Sequence, residues 1–324
     1  MNSIIEVQGL VKRFGDFTAV AGIDFAVEAG EFFGFLGPNG AGKTTTINIL
    51  STLLRPTSGQ ALLAGFDVVK QPDQVRQSIG MVFQDPSLDD RLTAEENLQF
   101  HAMLYQVPKA IRNERMTQVL EMVGLTERRR SVIRTFSGGM KRRLEIARGL
   151  LHHPKVLFLD EPTAGLDPQT RNAIWGHIRQ LREAIGITVF MTTHYLDEAE
   201  NCGRIAIIDH GKIQALDSPA ALKRRVGGDV IIVSGDEALP DDLTSRYGVT
   251  VQRVDGEFHF QVAAGAEFVP RVVLDFKDRV KSIQVKQPSL DDVFLQLTGR
   301  AIREEEGTEL DRMRQGAKLW RGRK

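Results

Sequence analysis

The most constraining feature of the sequence is a glycine-rich turn, GPNGAGKT, at residues 37–44. It fits the pattern G-x-x-x-x-G-K-[ST], in which glycines let the backbone wrap around phosphate groups and point its N–H groups inward. The apolar segment EFFGFLG precedes the turn, and TTTINILSTLL follows it without a helix breaker until Pro56. A strand, a loop and a helix in this order are the context that a nucleotide phosphate site requires.

The motif assigns chemical roles within this turn. Lys43 is predicted to reach the β- and γ-phosphates of a bound nucleotide, and the Thr44 hydroxyl is predicted to ligate Mg²⁺. The following helix directs about half a positive charge at the same anion. An ordinary glycine-rich turn before a helix is the alternative, and the flanking strand disfavours it. The candidate nucleotide-binding residues here are Gly37, Pro38, Asn39, Gly40, Ala41, Gly42, Lys43, Thr44 and Thr45.

A second candidate site lies at the end of the apolar segment VLFLDEP. Neighbouring side chains of a strand point to opposite sides, so one carboxylate can hold a metal while the next faces an attacking water. Asp160 is predicted to ligate the metal, and Glu161 is predicted to be the general base. The competing interpretation is an acidic strand end in a surface loop, which the phosphate loop makes less favourable.

The segment FSGGMKRRL, residues 136–144, resembles the signature of ABC-type ATPases. Ser137 offers a hydroxyl at a helix N-terminus, and Gly138 and Gly139 leave backbone N–H donors accessible. A capped, amphipathic helix is also consistent with the segment but does not explain the consecutive glycines. The resemblance implies that this segment closes over the γ-phosphate bound to a second ATPase subunit, in a head-to-tail dimer that we expect to be a homodimer.

Further positions match the family individually. The resemblance implies that Gln84 links the metal site to a helical block and contributes to that site. It implies that His194 contacts the γ-phosphate and positions the water, so that Glu161, His194 and Lys43 are the catalytic residues. It also implies that Asp167 lies in a loop that crosses the dimer interface. Phe14 occupies the place of an aromatic residue that stacks on adenine; a small hydrophobic cluster is the alternative.

The predicted fold class is α/β. The expected architecture is a P-loop NTPase of the ABC type, with a mixed sheet core, an antiparallel β subdomain and a helical subdomain at about 85–150, followed by a small α+β domain. The expected boundaries are 1–225 for the nucleotide-binding domain, 226–299 for the accessory domain and 300–324 for a charged tail. The tail is either a solvated chain end or a basic contact with anionic lipid or the partner.

Local patterns predict individual elements within this architecture. Thr93 and Glu96 form a capping-box pair at the start of a helix. Ile23, Phe25 and Val27 occupy every second position, which predicts one buried face of a strand. The other predicted elements are helices at 94–106, 109–123 and 266–279, strands at 156–160, 187–194 and 204–209, hairpin turns at His210-Gly211 and Asp255-Gly256, and a helix capped by Ser289 and closed by Gly299.

Composition and hydropathy limit the possible partners. No stretch approaches the roughly 18–20 continuous apolar residues that span a bilayer, and no signal peptide is visible. The single cysteine, Cys202, fits a reducing compartment. We therefore expect a location at the cytoplasmic face of the membrane, held by a separate polytopic membrane subunit. The net charge of zero argues against a nucleic-acid partner.

Three segments favour one branch of the family. SGGMKRRLEIARGLL, MTTHYLDEAENCGRIAIIDHGKI and PSLDDVFLQLTG resemble bacterial drug-exporter ATPases of the daunorubicin-resistance type. The resemblance implies ATP hydrolysis coupled to export of a drug, antibiotic or lipid-like compound. An importer ATPase shares every catalytic residue and stays an alternative, as does a soluble ABC ATPase acting on DNA or in translation. The transported compound and the identity of the second ATPase subunit are left open.

Overall fold

The structure is a computed structural model that describes residues 3–85, 87–254 and 256–299. The predicted tail at 300–324 and Asp255 of the predicted hairpin turn lie outside the described residues. The chain divides into two compact units that meet in sequence at Leu216 and Asp217. The sequence-based boundaries at 225 and 299 stay predictions. Within the described ranges, no helix combines the length and the apolar character needed to cross a membrane.

The first unit contains the phosphate loop and both acidic residues after VLFL. Its strands are β1 (Ser3–Phe14), β2 (Phe17–Glu28), β3 (Phe32–Leu36), β4 (Ser58–Leu63), β5 (Phe66–Asp67), β6 (Ile79–Val82), β7 (Val156–Asp160), β8 (Thr188–Thr193), β9 (Arg204–Asp209) and β10 (Lys212–Asp217). Its α-helices are α1 (Lys43–Leu50), α2 (Pro72–Ser78), α3 (Ala94–Leu104), α4 (Lys109–Met122), α5 (Gly138–Leu150), α6 (Pro168–Ile185) and α7 (Leu196–Ala199).

Two sheets organise the first unit. One has the order β2-β1-β4-β5 and is antiparallel, and the other has the order β10-β9-β3-β8-β7-β6. In the second sheet the neighbours β9, β3, β8, β7 and β6 run parallel. Every residue of β3 and β7 is buried, as expected for parallel strands covered on both faces. The predicted mixed sheet and antiparallel β subdomain are therefore confirmed.

An aromatic cluster joins the two sheets. Phe25 of β2 packs against Phe33, Phe35 and Phe190 of the larger sheet, with ring centroids 5.6–6.1 Å apart. Phe158 of β7 continues the cluster, 5.3 Å from Phe190. These rings are almost completely buried, and such aromatic pairs add to the stabilisation from burial. The cluster holds β3, β7 and β8 beside one another, and those strands carry the candidate site at their ends.

The predicted helical block is confirmed between β6 and β7. Thr93 and Glu96 form the capping box of α3, with the Glu96 N–H donating to the Thr93 hydroxyl at 3.2 Å. Helix α5 lies very close to the sheet because two glycines face each other. A Cβ atom on Gly80 of β6 would lie 2.2 Å from the carbonyl oxygen of Gly149 in α5. This close approach places α5 within side-chain reach of the segments that follow β6 and β7.

The second unit is a small α+β structure. Its elements are α8 (Pro219–Val226), β11 (Asp229–Gly235), α9 (Leu239–Tyr247), β12 (Gln252–Val254), β13 (Glu257–Val262), α10 (Gly265–Phe276), β14 (Val280–Lys286) and α11 (Leu290–Thr298). The antiparallel sheet has the order β12-β13-β11-β14. Ser289 caps α11, and Gly299 ends it in a left-handed conformation, as predicted. The core consists of Ile231, Val233, Leu239, Leu243, Phe258, Phe260, Val272 and Phe276.

Candidate functional site

The candidate site lies where three parallel strands end side by side. Strand β3 lies next to β8, and β8 lies next to β7, so the residues that follow them meet at one edge of the sheet. The glycine-rich loop follows β3, Glu161 follows β7 and His194 follows β8. The Gly37 N–H donates to the Thr193 carbonyl oxygen at 3.2 Å and ties the loop to β8. Segments distant in sequence therefore form one site.

Glycine is required at two positions of the loop. Gly42 has φ +107°, and a Cβ atom there would lie 2.5 Å from the Ala19 carbonyl oxygen. A Cβ atom on Gly37 would lie 2.3 Å from the Ile208 carbonyl oxygen. Any side chain would therefore push the loop away from its neighbours, and at Gly42 it would also be strained. The turn leads directly into α1, whose N-terminal N–H groups favour an anion.

Lys43 is almost completely buried, with 4% of its surface exposed. Its ammonium group donates to the carbonyl oxygens of Gly37 at 2.8 Å and Pro38 at 3.1 Å. It also lies 3.3 Å from Glu161 Oε1. A buried ammonium needs such partners because burial disfavours its charge. The structure thus brings the loop lysine and the predicted general base into direct contact.

Glu161 is held in an uncommon backbone conformation, with φ +44°. Its N–H donates to both the carbonyl oxygen and the hydroxyl of Thr192 on the neighbouring strand. Its Oε1 lies 3.2 Å from His194 Nδ1. Burial alone would raise the pKa of Glu161, but the close contact with His194 and the charge of Lys43 outweigh burial and lower it. The carboxylate is therefore ionised at neutral pH, as a general base must be.

The pKa of Asp160, the adjacent residue, is shifted in the opposite direction. Burial and then the nearby charge of Glu161 raise its pKa, although Thr192, Lys43 and Thr44 partly counteract this effect. The Thr192 hydroxyl donates to its Oδ1. A carboxylate that is costly to keep charged favours a bound cation, because the cation restores the charged form. Two neighbouring carboxyls with divergent pKa values are typical of a divided chemical role.

The residues present fit a hard cation such as Mg²⁺. The predicted donors Thr44, Gln84 and Asp160 offer hydroxyl, amide and carboxylate oxygen atoms, which are the ligands that Mg²⁺ accepts. Within residues 3–85, 87–254 and 256–299, no group of three or more His, Cys, Asp or Glu side chains could hold a metal by itself. A cation here needs phosphate and water oxygens to complete its shell, which is usual for Mg²⁺ beside a nucleotide.

An open cleft of about 590 Å³ connects these residues. Phe14 and Phe17 pair across the β1–β2 turn at its border, and both rings are about half exposed or more. Sequence reasoning missed Phe17 and Tyr195, although each lies within three positions of a predicted site residue. The predicted residues that line the cleft are Phe14, Asn39, Gly40, Gly42, Lys43, Thr44, Thr45, Gln84, Glu161 and His194; Phe17, Ala19, Ala164 and Tyr195 complete the lining. Gly37, Pro38, Ala41 and Asp160 belong to the same segments but do not line it.

The signature residues have local structural roles away from this cleft. The Ser137 hydroxyl caps α5 by accepting the Met140 N–H at 3.2 Å. A Cβ atom on Gly139 would lie 2.5 Å from the Thr170 methyl group, so glycine is required there for packing. Asp167 caps α6 by accepting the Thr170 N–H at 3.0 Å. Ser137, Gly138, Gly139 and Asp167 do not line the cleft of their own chain.

Comparison with known proteins found a matching family model and similar relatives over most of the chain. A family model described as "ABC transporter" matches residues 20–164. The linearmycin resistance ATP-binding protein LnrL of Bacillus subtilis (strain 168) is 41% identical over 312 residues, covering 93% of this chain and 100% of the relative. The daunorubicin resistance ATP-binding protein DrrA2 of Streptomyces coeruleorubidus is 41% identical over 317 residues, covering 94% of this chain and 98% of the relative.

A solved structure extends the comparison to three dimensions. The dimeric ATP-binding cassette MJ0796, in a post-hydrolysis state bound to ADP and Pi, aligns with a TM-score of 0.59 and 27% identity. The alignment covers 66% of this chain and 98% of that chain.

Proposed function

The chain belongs to the ABC transporter ATP-binding family, and on that premise we propose that it hydrolyses ATP to drive export of a drug, antibiotic or lipid-like compound through a separate membrane subunit. The single observation that carries the proposal is the contact of Glu161 with both Lys43 and His194 at the ends of β3, β7 and β8. Export, rather than import or a soluble role, is favoured because the resistance-protein relatives match more than nine tenths of the chain.

The residues of the cleft divide the chemistry between them. Lys43 and the N–H groups of the loop bind the phosphates. Glu161, already ionised, accepts a proton from the attacking water, and His194 orients that water and the γ-phosphate. Thr44, Gln84 and Asp160 would hold Mg²⁺, which when bound neutralises phosphate charge.

Phe14 stacks on the adenine, with Phe17 beside it.

The proposed active form is a head-to-tail dimer, in which ATP lies between two chains. Ser137, Gly138 and Gly139 begin α5 with N–H groups suited to an anion, yet they do not line the cleft of their own chain. A second copy would bring these groups over the γ-phosphate, and Asp167 would lie at the same interface. The structural relative described as dimeric supports this arrangement.

A groove with exposed apolar side chains is the proposed contact for the membrane subunit. Leu53 and Phe83 line it and each has more than a third of its surface exposed; helix α3, which contributes His101 to the groove, also carries the exposed side chains of Phe100, Met103 and Leu104. Phe83 directly precedes Gln84 of the cleft, and the groove has a volume of about 290 Å³. An amphipathic segment of the partner would cover this apolar surface. The subunit would then work at the cytoplasmic face of the membrane.

The test compares Glu161→Gln with wild type in the full chain. We expect ATP turnover to fall by about 10²–10⁴-fold, because the amide cannot accept the proton, while ATP still binds and holds the chains as dimers. ATPase assays and size measurement with saturating Mg-ATP provide the readouts. Glu183→Gln, at an exposed position of α6, is the matched control and should retain full turnover. Rapid hydrolysis by Glu161→Gln would contradict the general-base assignment.

The exporter proposal needs its own measurement. Tagged full-length chain, extracted from membranes with mild detergent, should copurify with a polytopic membrane protein. Cells that produce both proteins should accumulate less daunorubicin, used here as a fluorescent probe of drug export, than cells producing the Glu161→Gln chain. Copurification with ribosomes or DNA instead would favour the soluble alternative, and increased uptake would favour the importer.

A further inference from the structure

Arg142 is a buried arginine of α5 that contacts the backbone of the hydrolytic site. Only 6% of its surface is exposed. Its Nε donates to the Pro162 carbonyl oxygen, and its Nη1 donates to the Phe83 carbonyl oxygen. Its Nη2 lies 3.3 Å from the carbonyl oxygens of both Asp160 and Glu161. One guanidinium therefore joins the segment that carries Asp160 and Glu161 to the residue that precedes Gln84.

The counterion of Arg142 strengthens the same connection. Glu145, which is 1% exposed, accepts from Arg142 Nη1 at 3.0 Å through Oε2. Its Oε1 accepts the Ser87 N–H at 2.8 Å. Arg148, one turn further along α5, donates to the Ser87 carbonyl oxygen and hydroxyl. Helix α5 thus holds Phe83 and Ser87, on either side of Gln84, while it also holds residues 160–162.

Stability alone is a weak reason for such a pair. Removing two charges from water is costly, and well-packed apolar side chains often stabilise a fold equally well. A planar guanidinium with five donors is, however, well suited to holding several carbonyl groups at fixed positions. One of these carbonyls belongs to Glu161, whose positive φ is unfavourable for a residue with a side chain. The arrangement therefore stabilises a strained conformation at the residue that performs the chemistry.

We propose that Arg142, supported by Glu145, is a positioning residue for ATP hydrolysis: it fixes the backbone of Glu161 relative to the Gln84 segment. The inference rests on the proposed function, because it concerns the base of that same site. Neither residue lines the cleft, so both act through Glu161 and Gln84.

The test uses the full chain assembled with its copurifying membrane subunit. The double variant Arg142→Gln/Glu145→Gln removes both charges of the pair together, so that neither member is left buried and charged without the other. We expect kcat for ATP hydrolysis to fall about 30-fold with KM for ATP within about twofold of wild type, because positioning affects the transition state more than ground-state binding. Arg142→Lys, which keeps the charge but loses the planar fork, should give an intermediate kcat.

Arg143→Gln is the matched control. Arg143 is the next residue of α5 and also donates to a backbone carbonyl, that of Val123 at 2.8 Å, in a segment outside the cleft. Its kcat should stay within about twofold of wild type if only contacts with the hydrolytic segments matter. An equal loss of kcat in Arg143→Gln would overturn the inference, since kcat would then depend on any contact of α5 and not on those with the hydrolytic segments.

The outcomes separate this inference from the proposed function. A wild-type complex that does not hydrolyse ATP contradicts the proposed function itself. Wild-type turnover that is lost in Glu161→Gln but unchanged in the double variant overturns only the role of Arg142, and so does a change confined to KM. If thermal unfolding shows that the double variant does not fold, Arg142→Lys becomes the deciding variant. A lowered kcat with unchanged KM and melting temperature supports the positioning role of Arg142. An unchanged kcat overturns that role.

Discussion

The two units of the protein place their charges differently. In the first unit the buried polar residues include Lys43, Arg142, Glu145, Asp160 and Glu161, all at or beside the cleft. The buried side chains of the second unit are apolar over its described residues, and its ion pairs lie at the surface. Both units also have well-packed apolar cores.

This difference separates stability from function. Apolar burial, which forms the core of the second unit, is the main source of stability, whereas buried charge is costly and contributes little net stability. Buried and electrostatically perturbed groups concentrate at functional sites because the chemistry needs shifted pKa values and fixed dipoles. The first unit therefore accepts a cost in stability around Glu161 that the second unit avoids. Three variants test this comparison.

The largest effect is expected from Phe260→Ala, in the apolar core of the second unit. Truncating this ring, which is 2% exposed, should lower the free energy of unfolding by about 3–5 kcal/mol because it removes buried surface and leaves a cavity. Denaturant unfolding of the full chain measures the loss. ATPase kcat, measured at a temperature where the variant is folded, should stay close to wild type. A collapse of kcat comparable to that of Glu161→Gln would break the comparison, since the second unit would then contribute to the chemistry.

His194→Ala probes the buried charges of the first unit. The contact with His194 is the largest of the effects that lower the pKa of Glu161 below its ordinary value of 4.5. Its removal should raise that pKa. Since the base acts only when ionised, the acid limb of the kcat–pH profile should move to higher pH, with kcat itself reduced by about 10–100-fold.

The sign of the stability effect follows the same reasoning. A lowered carboxyl pKa stabilises the folded chain above the ordinary pKa, and this stabilisation is lost as pH falls through the lowered value. The stabilisation from Glu161 should therefore be smaller in His194→Ala at neutral pH. His259→Ala, in the second unit, is the control and should leave the kcat–pH profile in place. If the acid limb of the kcat–pH profile did not move in His194→Ala, the result would contradict the influence of His194 on the pKa of Glu161.

The smallest effect is expected from Arg279→Gln in the second unit. Arg279 pairs with Asp236 and Asp242 at the surface, and these hydrogen bonds raise the pKa of its guanidinium. Water and salt screen such pairs, so the melting temperature should fall by no more than about 5 °C, and by less at high salt. ATPase activity should not change. A large loss at low salt that disappears at high salt would mean that surface charge stabilises the second unit more than its apolar core suggests.

Local patterns predicted many elements of both units correctly. The strands at 156–160 and 204–209 have the bounds that the sequence indicates, because continuous apolar runs and flanking turns define buried parallel strands. The caps at Thr93 and Ser289 were also recognisable, since a capping box involves residues only three positions apart. Helix α9 (Leu239–Tyr247) was not predicted. Its start, Leu239-Pro240 followed by two aspartates, suggests a loop, although proline and acidic residues favour a first helical turn.

Only part of the candidate site was predicted from the sequence. The loop, Glu161 and His194 were identifiable from motifs and resemblance, and the structure places them together. Their roles, like those of Ser137 and Asp167 at a dimer interface, stay predictions. Phe17 and Tyr195 were missed because no motif assigns them a role; their position beside the cleft depends on the pairing of β1 with β2 and on the end of β8.

The sequence by itself determined the phosphate loop, the alternation of strands and helices, and the family, because each depends on residue type at short spacing. Only the tertiary structure decided which arginine of KRR is buried and what it contacts. Arg142 reaches carbonyls 20 and 59 positions away because Gly80 and Gly149 let α5 approach the sheet, whereas Arg143, one position later on the helix, points to the end of α4. The opposite pKa shifts of Asp160 and Glu161 arise in the same way, since burial and neighbouring charge depend on the assembled site and not on the order of residues.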